Sequence, residues 1–391
     1  MLSLTKTNER RQMAQAKPGK PYPEFPLYAH GAGQWAKRIK GKVYYFGKWD
    51  DPEAALAKFK DEVDYLQAGK TPPEESDGAT VVDLVNAFVA SKRRSHDEGE
   101  LAISTLRDYI ETAEIFCRFF GATKLAGISA TRLERLRTHY GEGVGPYTQN
   151  RHLTHTRMMI KFAYDHGLIE SPIRAAGSMR RVSAKGLRLA KHEKGSRLFE
   201  GEELKRAVDK AGTTLKAIIL LGVNCGLGNS DISSMPFEAL DLENGWLTYP
   251  RGKTGTIRRV RLWPETVEAI RDAIASRPEP RSKTDSKIVF ITKYGGRWVT
   301  ETEKSVKDSV SKEFTKLLKA EGLKRPGLTF YALRHTFQTI AENGCRDPIA
   351  VKAIMGHVDG TISEHYREKV SDERLAAATD AVREWLFAEG N

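Results

Sequence analysis

Between residues 80 and 169 apolar side chains return at helical spacing in four successive stretches, 80–94, 104–121, 129–141 and 147–169, separated by short breaks. A period near 3.6 residues gathers those side chains on one face. None of the four helices can hide that face alone, so the pattern predicts a compact bundle with short connections.

The period changes on both sides of the bundle. In "QWAKRIKGKVYYFGKW" (34–49) β-branched and aromatic residues alternate with Lys and Arg about a Lys-Gly turn, which predicts a β-hairpin. The stretch that follows has an Asp cap, Pro52 in its first turn and apolar residues at 55, 56, 59, 63 and 66, the signature of a helix. A Pro- and acid-rich break, "KTPPEESDG" (70–78), separates this small sheet and its helix from the bundle. After the bundle, residues 174–198 carry Arg174, Arg180, Arg181, Lys185, Arg188, Lys191, Lys194 and Arg197 against the single acid Glu193, with glycines throughout. This reads as an extended basic linker. From 200 onward helical patterns dominate, interrupted by one hairpin in "GWLTYPRGKTGTIRRVRLWP", the clear sheet of that region, and everything past 301 reads as helix.

The expected fold class is therefore multidomain, mainly α with small β-sheets. Its expected pieces are a flexible basic tail (1–21), a hairpin-and-helix unit (22–76), a helical unit (77–173), the linker (174–198) and a mixed, mostly helical domain (199–391). No stretch approaches the roughly 20 apolar residues of a membrane span, and no leader pattern opens the chain, so a soluble protein of the bacterial cytoplasm or nucleoid is expected. Cys117, Cys225 and Cys345 are far apart and outside any CxxC spacing, which predicts reduced thiols rather than disulfides or zinc.

A net charge of +12, from 63 basic and 51 acidic residues, favours a polyanionic partner. Three places could meet DNA. Lys37, Arg38 and Lys40 lie on the first hairpin, facing either a groove or water. Arg151, Arg157 and Lys161 share the last bundle helix with aromatics, and that face is open to the same two readings. The linker's Arg180, Arg181, Lys185, Arg188 and Lys191 are too one-sided in charge for a spacer, and such a strand across a DNA backbone gains affinity by counterion release.

Chemistry concentrates in "GHVDGTISEHYRE" (356–368). His357, Asp359 and His365 lack the i, i+4 spacing that sets two metal ligands on one helix face. No GxSxG elbow, GxxxxGK[ST] loop or GxGxxG turn occurs, so serine hydrolysis and nucleotide-driven chemistry have no motif. What is left is a tyrosine with basic partners. A phenol, with an ordinary pKa near 10, attacks a phosphodiester only where cations stabilise the phenolate and the charge growing on the phosphoryl oxygens. Arg334 can grip two oxygens, His357 can donate one hydrogen bond and Lys253 can deliver a proton to the leaving oxygen.

In order and spacing these residues resemble the tyrosine recombinase (phage integrase) family: an Arg-His-Thr-Phe segment at 334–337, then Gly356-His357, then Tyr366 nine residues after that histidine. Lys253 stands where the family places its hairpin lysine. The bundle resembles the family's core-binding domain and the 22–76 unit resembles an arm-binding domain. The resemblance implies that Tyr366 attacks DNA to form a 3′-phosphotyrosyl bond, that Arg334 and His357 hold the phosphate and that Lys253 protonates the leaving oxygen. Asp231 and His335 would support the site, His335 as a structural hydrogen-bonder. It implies no metal and no cofactor, because the phosphotyrosyl bond keeps the energy for rejoining. It also implies double-stranded DNA recombination sites as partners, no membrane, a homo-tetramer on DNA and a monomer or weak oligomer when free.

Two positions depart from the family pattern. Tyr331 stands three residues before Arg334 where histidine is usual, and a phenol still donates a hydrogen bond. In "NCGLGNSDI" Gly228 stands where the family places its first catalytic arginine, with Asn229, Arg251, Arg258 and Arg259 as neighbours that could replace it. Three readings follow: a site-specific recombinase, the integrase of a mobile element; a catalytically impaired, recombinase-derived DNA-binding protein; and a type IB-like topoisomerase. The last fits poorly with N-terminal units built for site recognition. The tail at 371–390 is amphipathic and suits either a neighbouring subunit or its own core.

Overall fold

A computed structural model describes residues 17–67, 69, 78–175, 177–193, 195–357 and 369–388. The chain divides into two compact units, one of residues 1–87, 115–142 and 153–180, the other of residues 88–114, 143–152 and 181–391.

In the first unit, β1 (Tyr28–His30), β2 (Gln34–Ile39) and β3 (Lys42–Lys48) form an antiparallel sheet in sequence order. The expected hairpin is β2–β3, and β1 adds a third strand. Helix α1 (Pro52–Gln67) covers one face, burying Phe25, Leu27, Trp35, Ile39, Phe46, Ala55 and Leu66. Alternation explains the selection, since β2 turns Trp35 and Lys37 to one side and Arg38 to the other.

The bundle helices appear where the spacing places them: α2 (Val81–Asp97), α3 (Ile103–Phe120), α4 (Ala130–His139) and α5 (Pro146–Asp165). Ser129 caps α4, its side chain accepting from the Arg132 N–H. Inside the first unit Tyr140 Oη and Thr156 Oγ1 meet at 2.8 Å, tying the end of α4 to α5.

The linker differs from the expected extended chain. It contains α6 (Ala184–Glu193), with Ser183 Oγ accepting from Gly186 N at 3.2 Å in the manner of a cap. Glycine content suggested extension, but Ala, Leu, Lys and Arg are strong helix formers and outweigh Gly186.

The second unit is built around α8 (Thr213–Asn224), whose residues from Ala217 to Asn224 are all buried. Around it stand α7 (Gly201–Lys210), α10 (Pro264–Ala275), α11 (Ser309–Ala320) and α12 (Phe330–Cys345). The helical pattern through 213–237 breaks at Gly226, whose φ of +59° suits glycine and where a Cβ would lie 2.9 Å from Phe337 Cδ1. The short α9 (Asn229–Ser233) follows.

The hairpin is not the sole sheet of this unit. β4 (Leu240–Asp241) joins β5 (Trp246–Pro250) and β6 (Ile257–Arg261) in a three-stranded sheet, and β7 (Val299–Glu301) pairs with β8 (Val306–Asp308) where helix was expected. Those two strands have three residues each, too few to print an alternating pattern.

After α13 (Pro348–Met355), the tail helix α14 (Asp372–Phe387) packs on its own chain's core through Leu375, Ala378, Val382 and Leu386. The Trp263 indole N–H donates to Thr379 O at 3.0 Å, and Arg383 clamps Glu265 at 3.0 and 2.6 Å. Among the described residues no helix is long and apolar enough to cross a membrane.

Candidate functional site

The site assembles where α12, α13 and the β5–β6 turn converge. Arg334 sits one turn into α12, which aims its side chain back across the bend after α8, and it is 3% exposed. Its guanidinium donates to the Gly226 carbonyl, to Met355 O at 2.8 Å and to His357 Nε2 at 2.9 Å. The bond to Nε2 requires an acceptor there, so His357 is neutral with its proton on Nδ1.

Gly356 ends α13 with a φ of +62°, which releases His357 from the helix toward Arg334. A Cβ at Gly356 would lie 3.1 Å from Arg251 Cδ and 3.1 Å from Arg258 Cδ and Cγ. Glycine is thus demanded by both backbone and space. The Gly356 carbonyl accepts from Arg251 Nη1 at 3.0 Å and Thr254 Oγ1 at 3.3 Å. These contacts dock the β5–β6 turn against the end of α13. Lys253 lies in that turn between the two docking residues and is exposed.

Asp231 of α9 accepts from Arg258 Nη1 at 3.0 Å and Gly228 N at 3.4 Å. Arg258 is 0% exposed and spends its other nitrogens on Tyr249 O and Pro250 O, each at 3.2 Å. Arg259, next along β6, points the other way, pairs with Asp372 at 2.8 and 2.7 Å and lies over the Trp246 ring. Asn229 is held by Asp308 and by Ser311 at 2.9 Å. Tyr331 is 49% exposed in the first turn of α12. The His335 ring meets Tyr331 edge-on with centroids 5.3 Å apart. Asp359, His365 and Tyr366 lie outside the described residues.

Burial, then the charges of Arg334 and Arg251, hold the His357 pKa below its ordinary value, with Glu342 opposing. His335 is lowered likewise by burial, then Arg197, Lys191 and Arg334, and His152 by burial and then Arg151. Each imidazole binds a proton more readily unfolded than folded, so their contribution to stability is full above an unfolded pKa near 6.5 and falls as pH drops through that value. Urea unfolding at pH 7.5 and 5.5 is expected to show a lower midpoint at the acid end; equal midpoints would contradict these shifts.

The candidate DNA-contacting residues divide. In the first unit Arg38 and Lys40 are exposed on the sheet, but Lys37 turns inward, donating to Pro26 O at 2.8 Å. Arg157 and Lys161 are exposed on α5, Lys161 beside Asp165 at 2.5 Å, and the exposed Arg180 gives its carbonyl to Arg137. In the second unit Arg151 is bound to Asp108 at 2.5 Å and Glu111 at 2.6 Å, which neutralises it; those acids lie on another helix, invisible to a one-helix pattern. Arg181, Lys185, Arg188 and Lys191 are exposed, and spacing by three on α6 lines the last three along one stripe.

Residues 197–373 match the phage integrase family. This match, with the relatives and solved structures that follow, supports the tyrosine recombinase family for this segment. The tyrosine recombinase XerC of Pseudomonas putida (strain ATCC 700007 / DSM 6899 / JCM 31910 / BCRC 17059 / LMG 24140 / F1) is a relative, 23% identical over 304 residues, covering 76% of this chain and 94% of its own length. The tyrosine recombinase XerD of Rhizobium meliloti (strain 1021) is 26% identical over 306 residues, covering 75% and 94%. Among solved structures, a lambda integrase tetramer bound to a Holliday junction is similar with a TM-score of 0.55 and 16% identity, over 93% of this chain and 99% of that one. At this identity the likeness establishes a multidomain tyrosine recombinase fold. Sequence reasoning named Arg334 and His357 but missed the carbonyls of Gly226 and Met355 that aim the arginine. The glycines after α8 and α13 were the available signal.

Proposed function

We propose that this protein is a site-specific DNA recombinase, the integrase of a mobile element, that cuts and rejoins duplex DNA through a 3′-phosphotyrosyl bond on Tyr366. The observation that carries the reading is the junction of Arg334 with His357, against which the Lys253 turn is docked. In the cutting step the Tyr366 hydroxyl gives its proton to solvent and its oxygen bonds to phosphorus as the bond to the 5′ oxygen breaks, and Lys253 gives that leaving oxygen a proton, which it regains from solvent. Rejoining reverses this with a 5′ hydroxyl from the second duplex. Bond types are conserved, so the cycle needs no nucleotide or metal. Arg334 and His357 hold the phosphate, with Tyr331 as a further donor at the exposed rim. The exposed basic residues of α6, the bundle and the first sheet would follow the DNA backbone, and a tetramer on two duplexes fits the family.

The test begins with a duplex enriched by the full-length chain from a randomised pool, nicked near its centre to trap the cleaved strand. A protein–DNA adduct that survives denaturation and maps to Tyr366 is expected. DNA binding without adduct would favour a DNA-binding protein disabled at Gly228, and an adduct that persists in Tyr366→Phe would refute the nucleophile.

A further inference from the structure

Three guanidiniums converge near Gly356. Arg334 and Arg251 clasp consecutive residues there: Arg334 donates to Met355 O and His357 Nε2, and Arg251 to Gly356 O between them. Arg258 runs beside the same glycine, where an added Cβ would lie 3.1 Å from its Cδ and Cγ. Among the described residues the carboxylate in ion-pair contact with this group is Asp231, and Arg258 holds it. Arg334 and Arg251 are each met by neutral acceptors; burial first, and then the like charge of Arg251 against an opposing Tyr331, lowers the pKa of Arg334. Two cations so placed repel one another, and an anion between them relieves that repulsion.

The other neighbours of Gly228 are already engaged. Arg258 is sealed from solvent with all three nitrogens bound, Arg259 faces Asp372, and Asn229 faces Asp308 and Ser311. Arg251 is half-buried, with Nη1 on a carbonyl, and its charge acts on both Arg334 and His357.

We propose that Arg251 is the second guanidinium that grips the scissile phosphate, taking the place left by Gly228, while Arg258 is a positioning residue that locks Asp231 and the β5–β6 ends beneath it. This rests on the strand-cleavage reading above. A phosphodiester carries one negative charge and gains a second as the nucleophile bonds to phosphorus, so a cation at this point stabilises the transition state more than bound DNA. Gly228 itself accepts a Cβ: its φ is −89° and a Cβ there would meet nothing nearer than Asp231 Oδ2 at 3.8 Å.

The experiment measures single-turnover cleavage and binding on the enriched, nicked duplex for wild type, Arg251→Gln, Arg251→Lys and the double variant Gly228→Arg/Arg251→Gln. Arg251→Gln is expected to cleave about 10²-fold more slowly with binding retained, Arg251→Lys to recover part of the rate, and Gly228→Arg to restore cleavage to the glutamine variant. On a duplex with a neutral methylphosphonate at the scissile position, the deficit of Arg251→Gln is expected to shrink. Arg251→Gln at the wild-type rate overturns the proposal, and so does equal loss of binding and cleavage, which marks a structural role. Failure of Gly228→Arg to rescue overturns the exchange of one cation for the other. A wild-type chain that forms no adduct removes the cleavage reading itself, whereas a normal wild-type adduct beside an unimpaired Arg251→Gln removes the Arg251 role alone.

Discussion

Arg334→Ala is expected to slow strand cleavage about 10²–10³-fold, the usual cost of removing one preorganised donor to developing phosphoryl charge. The geometry makes this residue hard to replace. Its guanidinium bridges the Gly226 carbonyl on one side and Met355 O and His357 Nε2 on the other, so it fixes the bend after α8, the end of α13 and the imidazole together. Truncation strands those buried acceptors at about 1–3 kcal/mol for each that finds no new partner. A lysine has the charge but no planar fork to span the same acceptors, and Arg334→Lys is expected to recover little. Single-turnover cleavage on the enriched duplex checks the first effect and urea unfolding the second. Wild-type cleavage by Arg334→Ala would remove this residue from the site.

The second large effect falls on stability. Arg258 has a side chain that is 0% exposed, whereas that of its partner Asp231 is 21% exposed. Removing the carboxylate in Asp231→Ala leaves a charge sealed in the core and takes the acceptor from Gly228 N, with an expected cost of about 3–5 kcal/mol. Arg258→Met removes the sealed charge instead, and leaves a carboxylate that water can reach in a site where an apolar stem still packs on Tyr249. A smaller loss is expected from it. Urea unfolding of the two variants decides the order, and an equal or larger loss from Arg258→Met would show that the pair is not held together by the burial of its cation.

The elements were legible because their cause is local. The spacing in 80–169 and the Asp-Pro start before Leu56 arise from a helix or strand placing each side chain relative to its near neighbours, and the structure repeats them. Short strands escaped for the same reason, since β7 and β8 each offer three residues of pattern. The basic segment at 174–198 was legible as charge, which is additive along the chain. Its helix was hidden by a glycine that stronger neighbours outvote.

The site divides along the same line. By itself the sequence determined the candidate groups and their order: Arg334, Gly356-His357 and Tyr366, with Lys253 on a turn and a gap at Gly228. Alternation along β6 puts Arg258 and Val260 on one face and Arg259 on the other. Which of those faces could bury a charge was decided in three dimensions, where Asp231, 27 residues away in the chain, stands over Arg258, and Asp372 draws Arg259 outward. The same holds for Arg151, tied to Asp108 and Glu111, and for Arg251, turned to Gly356. Local periodicity fixes where a side chain points, but the fate of a charge depends on partners and solvent that only long-range packing brings to it.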